Sequence, residues 1–108
     1  MEHPKTVVTH FLNALNDENF EKAGSYLEKD FKFHGVMGSR NTAETYIADM
    51  RKMKFKYKIE KIFEEGNDVC VIYKIDMGKA TIETCGIYEI HQDKLKSLKV
   101  IFDPRPVL

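Results

Sequence analysis

The apolar residues of this chain follow two periods, and the change falls near residue 55. Before it, Val7, Val8, Phe11, Leu12 and Leu15 recur at helical spacing, with polar His10, Asn13 and Asn16 between them. Pro4 stands where a first helical turn accepts proline. The polar run Asn16 to Asn19 ends the pattern, and Phe20, Ala23, Gly24 and Leu27 mark a short second helix. Phe31 to Phe33 reads as a strand, and "HGVMGSR" as an irregular loop with two glycines. Asn41, with Glu44 three residues later, has the form of a capping box. It opens a third helix with an apolar stripe of Ala43, Tyr46, Ile47, Met50 and Met53.

From Phe55 onward the period is two, as expected of strands whose side chains alternate between faces. Phe55, Tyr57 and Ile59 alternate with Lys56, Lys58 and Glu60, and the adjacent Ile62 and Phe63 predict a bulge near Lys61. Val69, Val71, Tyr73, Ile75 and Met77 define one face of the next strand, and Gly78-Lys79 is a glycine-first two-residue turn. Ala80, Ile82, Thr84, Gly86, Tyr88 and Ile90 continue that face. A turn at Gln92-Asp93 leads to Leu98, Val100 and Phe102. The predicted order is α-α-β-α-β-β-β-β, an α+β fold of long, mostly antiparallel strands with helices on one side. No repeat or linker divides residues 1–108 into more than one domain.

Composition narrows the partners. Seventeen basic and seventeen acidic side chains cancel, so no global field favours nucleic acid or an anionic membrane. "KFKYK" (Lys54 to Lys58) interleaves bases with aromatics, but its period sends the aromatics to the core and the lysines to water. No apolar run approaches the roughly 20 residues of a membrane helix. His3, His10, His34 and His91 lack the pair spacing of a structural zinc site, so neither metal nor cofactor is expected. Two cysteines without CxxC spacing, and no leader-like start, predict a cytoplasmic protein.

The order of elements, the stretch "VVTHFLNALNDENFEKAGSYLEKDFKFHGVMG" and the terminal "LKSLKVIFDPRP" resemble the NTF2-like (cystatin-like) superfamily, most closely its SnoaL-like branch. That branch also holds ketosteroid isomerases and limonene-epoxide hydrolases. The resemblance spans nearly the whole chain and implies a strongly curved sheet wrapped around helices into a cone. It also implies an apolar pocket at the open end of the cone and a homodimer through the convex face.

The resemblance does not carry the known chemistry with it. The isomerases' catalytic tyrosine falls on Phe11, their general base on Gly35 and their second acidic group near Gly86. The hydrolases' carboxylate falls on Val100, and their charged pair near Thr84 and Gly86. None of these side chains can take those roles. His34 neighbours the isomerase base position and titrates where general bases work. A bulge would turn it into the cone, where Asp103 could orient it; strict alternation turns it outward. Asp103 precedes Pro104, and an Asp-Pro step is also a strand stop, with Arg105 at hand as a partner.

Parity supplies the remaining expectations. The cone lining is predicted to hold Phe11, Leu15, Tyr26, Phe33, Met37, Tyr46, Met50, Tyr57, Tyr73, Thr84, Gly86, Tyr88, Val100 and Phe102. Tyr26, Tyr73 and Tyr88 are its expected polar handles, because buried phenols find partners. The methionines Met37, Met50, Met53 and Met77 suit either a core or an adaptable pocket. On the opposite face, Cys70, Ile72, Cys85, Ile87 and Ile101 form an apolar patch among charged residues, the mark of an interface. The expected protein is a homodimer that holds a small hydrophobic or aromatic molecule in its cone. One alternative is an isomerase, cyclase or hydrolase using His34 and Asp103. The other is a dimerisation domain whose cone is filled by its own side chains.

Overall fold

A computed structural model describes residues 3–108. Helices α1 (Pro4–Asn16) and α2 (Phe20–Ser25) lead into strand β1 (Leu27–His34) and a two-residue strand β2 (Ser39–Arg40). Helix α3 (Ala43–Met53) precedes the meander β3 (Lys56–Glu65), β4 (Asp68–Asp76), β5 (Thr81–His91) and β6 (Lys94–Ile101), and a short 3-10 turn spans Arg105–Val107. One six-stranded sheet has the order β2-β1-β6-β5-β4-β3. All neighbours are antiparallel except β1 and β6, which pair in parallel.

The sheet bends because its ladders slip. Register shifts fall between Ile59 and Lys61 on β3, between Glu89 and Ile90 on β5, and between Leu27 and Lys32 on β1. Each adds a local bend and extra twist, the means by which a sheet curls around helices. The helices fill the concave side. Val7, Val8, Phe11, Leu12 and Leu15 of α1 are buried against the inner stripes Val69, Val71, Tyr73 and Leu95, Leu98. Asn16 fixes where α1 ends: its side-chain amide donates to the Tyr57 carbonyl at 2.9 Å and accepts from the Tyr57 N–H at 2.7 Å. A side chain thus takes the place of a strand neighbour at the sheet's edge.

Local chemistry corrects several boundaries. The third helix is capped by Thr42, not Asn41: its hydroxyl accepts from the Thr45 N–H at 3.2 Å, so the reciprocal partner is not Glu44. β1 starts at Leu27, inside the span expected for the second helix, because the Tyr26 carbonyl accepts from the Leu95 N–H at 2.7 Å and commits the chain to the sheet. Ser39 and Arg40 fold back onto His34 and Phe33 as β2 within the stretch read as an irregular loop. Gln92 and Asp93 both adopt positive φ, 51° and 64°, as a tight hairpin turn of matching twist requires.

Candidate functional site

At the open end of the cone lies a cavity of about 330 Å³. Its wall is built from the end of β1 and the following turn (Phe33, Gly35 to Gly38), from α3 (Tyr46, Asp49, Met50, Met53), and from Phe55 and Tyr57. Tyr73 and Ile75 of β4, Met77 just after it, Leu98, Val100 and Phe102 of the last strand and its extension, and Val107 complete it. Its aromatic rings pack on one another: Phe33 and Tyr46 lie 5.1 Å apart between centroids, and Tyr57 and Tyr73 5.6 Å. All four methionines singled out in the sequence line it. The two charged lining residues, Arg40 and Asp49, bind each other at the rim at 2.6 Å.

The polar atoms inside are phenols. Tyr73 and Tyr88 share a hydrogen bond of 2.8 Å, and the Tyr57 hydroxyl donates to the Met50 thioether at 3.5 Å. Burial pushes Tyr46, Tyr57, Tyr73 and Tyr88 well above the usual phenol range, so all four are neutral hydroxyls at physiological pH. Gly86 makes room for this arrangement, since a Cβ there would overlap the Tyr73 hydroxyl.

Of the residues expected in the lining, Phe33, Met37, Tyr46, Met50, Tyr57, Tyr73, Val100 and Phe102 are brought together here. The rest lie elsewhere. Phe11 and Leu15 are sealed in the core beneath, where α1 meets the sheet. Tyr88 is buried behind Tyr73, and Thr84 is buried with its hydroxyl donating to the Ile82 carbonyl at 3.1 Å. Gly86 supports the cavity from behind, and the Tyr26 ring sits beside His10, 6.2 Å between centroids. Phe55, Ile75, Met77 and Leu98 share the inner-face stripes that parity identified, and Met53 ends the apolar stripe of α3. Which end of each stripe opens to the cavity depends on the bends. Arg40 and Asp49 gave no signal, because two isolated charges nine residues apart meet only when β2 folds back towards α3.

His34 and Asp103 are not brought together. His34 is exposed, pairs across the ladder with Ser39 and Lys99, and lies outside the cavity lining. Asp103 accepts from the Arg105 backbone N–H at 3.0 Å and from its guanidinium at 2.6 to 3.0 Å. The Arg105 side chain holds the carboxyl below its ordinary range. This arrangement closes the chain after β6 as an Asp-Pro strand stop would.

On the convex face the register sets Cys70 opposite Ile87 and Phe63, and Cys85 opposite Ile72 and Ile101. Phe63, Ile87 and Ile101 are exposed there. Among the described residues no helix is long and apolar enough to cross a membrane, and no three or more His, Cys, Asp or Glu side chains cluster as metal ligands.

A family model described as a SnoaL-like domain matches residues 8–98. The chain is a SnoaL-like domain. It shares 48% identity with an NTF2-like protein of unknown function from Cytophaga hutchinsonii, with a TM-score of 0.96 over 99% of this chain and 96% of that one. An LEH-like epoxide hydrolase from M. tuberculosis superposes with a TM-score of 0.83 at 22% identity, over 95% of this chain and 84% of that one. An uncharacterised cystatin-fold protein from Novosphingobium aromaticivorans gives 0.85 at 14% identity, over 94% and 99%. At those identities the likeness is one of fold. No curated protein matches this chain in sequence.

Proposed function

We propose that this SnoaL-like domain binds a small, largely apolar molecule carrying a hydrogen-bonding oxygen, and that it does so as a homodimer. The observation that carries the reading is the cavity. At about 330 Å³ it falls at the small end of the range of ligand pockets, and aromatic and methionine side chains dominate its wall. Neutral phenols supply the polarity. The Tyr57 hydroxyl meets the Tyr46 hydroxyl and the Met50 thioether, and sulfur is a weak acceptor. A ligand carbonyl or hydroxyl oxygen would be a better partner than the sulfur for this phenol pair. The paired charges of Arg40 and Asp49 stay at the rim, so an uncharged ligand body suits the interior.

The homodimer rests on the convex face. Cys70, Ile72, Cys85, Ile87 and Ile101, joined by Phe63, make a continuous apolar strip, and Lys74, Glu83, Glu60 and Lys99 lie around it. Mixed charge around an apolar centre suits a second copy related by a two-fold axis, where each sign can meet its opposite.

Native mass spectrometry of gently purified protein tests both parts. The expected species is a dimer carrying extra small-molecule mass, with the extra mass lost from a Val100→Phe variant that fills the cavity. Titration of labelled protein with 1-naphthol and acetophenone adds a second readout. Shifts confined to the cavity residues support the reading. The absence of both retained mass and such shifts would overturn ligand binding, and a monomer at working concentration would overturn the dimer.

A further inference from the structure

Cys70 on β4 and Cys85 on β5 are free thiols whose Sγ atoms lie 3.3 Å apart on the convex face. They are not direct cross-strand partners, because Cys70 faces Ile87 and Cys85 faces Ile72, so the sulfurs meet along a diagonal. The difference decides their chemistry. Diagonal neighbours in a ladder stand about 7–8 Å apart. Disulfides usually span Cα separations of about 4.4–6.8 Å. Joining the sulfurs directly would pull the two strands out of register. An atom inserted between the sulfurs needs no such movement.

The separation also selects the atom. A bridging centre about 2.3 Å from each sulfur subtends an angle of about 90° at 3.3 Å. Linear Cu(I) needs a wider pair, and tetrahedral zinc needs further ligands, which are not grouped here among the described residues. Trivalent arsenic with one organic substituent is pyramidal and is completed by two thiolates at nearly a right angle. We propose that Cys70 and Cys85 form a dithiol site for monosubstituted trivalent arsenicals. Phe63, opposite Cys70 on β3, and Ile101, opposite Cys85 on β6, offer exposed apolar surface to the organic substituent.

The reaction is a condensation with no change of oxidation state. An organoarsenic oxide forms two As–S bonds, and its oxygen leaves as water with the two thiol protons. Burial and the neighbouring Cys70 push the Cys85 thiol up to about 11, so single-thiol reagents react slowly there. Chelation by two sulfurs distinguishes the arsenical from those reagents. Because the same face serves the proposed homodimer, an occupied site and a dimer exclude each other.

Phenylarsine oxide is the probe, added in equimolar amount to the whole protein and read by native mass spectrometry. The expected product is one adduct per chain with loss of one water, found on monomer. It is retained in excess monothiol and released by a dithiol. Cys70→Ser and Cys85→Ser variants, checked for unchanged thermal unfolding, should give adducts that monothiol strips. The proposal is overturned if no adduct forms on monomer, or if the adduct is carried by the dimer. It is equally overturned by a wild-type adduct that monothiol removes, or by one that survives monothiol in either variant. Ready loss of two hydrogens in oxidised glutathione would also overturn it, because a disulfide would then close across the diagonal.

Discussion

Gly86 lies so close beneath the Tyr73 hydroxyl that no side chain fits between them. The glycine is needed for space rather than for backbone freedom. Gly86→Ala is therefore expected to destabilise the domain by about 1–3 kcal/mol, as overpacking of a well-filled core does. Combining it with Tyr73→Phe should recover part of that loss by removing the overlapping oxygen. Chemical denaturation of the two single variants and the double variant measures this coupling. Strict additivity would show that the contact is relieved elsewhere.

Tyr73 and Tyr88 satisfy each other in the interior. Replacing either with phenylalanine leaves the other hydroxyl buried with its partner gone, at a cost of about 1–3 kcal/mol. Replacing both should cost less than the sum of the single changes. A double-mutant cycle in urea reads the difference, and a zero coupling energy would deny the pair any mutual dependence.

Alkali should unfold the domain through its phenols. Tyr46, Tyr57, Tyr73 and Tyr88 have folded-state values raised above the unfolded value of about 10 by burial. The unfolded chain then loses these protons first, so stability is complete below about pH 10 and falls as pH rises further. Tyrosinate absorbance from these four should appear together with loss of the fold. A gradual rise of all tyrosinate absorbance in an intact fold would contradict the burial argument.

On the convex face, Ile87→Lys and Ile101→Glu place charges in the apolar strip without entering the core, since both side chains are exposed. The expected outcome is a monomer with near wild-type thermal stability per chain, by analytical ultracentrifugation and calorimetry. A dimer that survives both substitutions would move the interface elsewhere.

Asn16→Ala removes both hydrogen bonds to the Tyr57 backbone. A loss of about 1–3 kcal/mol is expected, with faster amide exchange at Tyr57 than at Ile75, its partner across the ladder. Equal exchange at both would show that α1 does not hold this edge.

Period-two alternation made the meander legible, because strands with one buried face must place Val69, Val71, Tyr73 and their partners on that side. The bulge near Lys61 was legible too, since the slip in alternation is the bulge. The cavity was less so. Parity distinguishes inner from outer residues but does not say how far along a stripe the helices reach. Phe11 and Tyr88 therefore looked equivalent to Tyr57, yet Phe11 on α1 packs edge-on against Tyr88 and seals both in the core, while Tyr57 is left at the opening. β2 and the Arg40–Asp49 pair depend on a fold-back made of two residues, too short to leave a pattern.

The parallel pairing of β1 with β6 joins residues 27–34 to residues 94–101. During synthesis the first strand leaves the ribosome long before the last one is made. Leu27 and Phe31 must therefore wait, without their sheet neighbour, until the meander is complete. The slow step in folding should be this closure rather than the hairpins, whose partners are adjacent in sequence. A chain stalled before β6 would expose β1 as an unpaired edge, the form of this protein most open to misassociation.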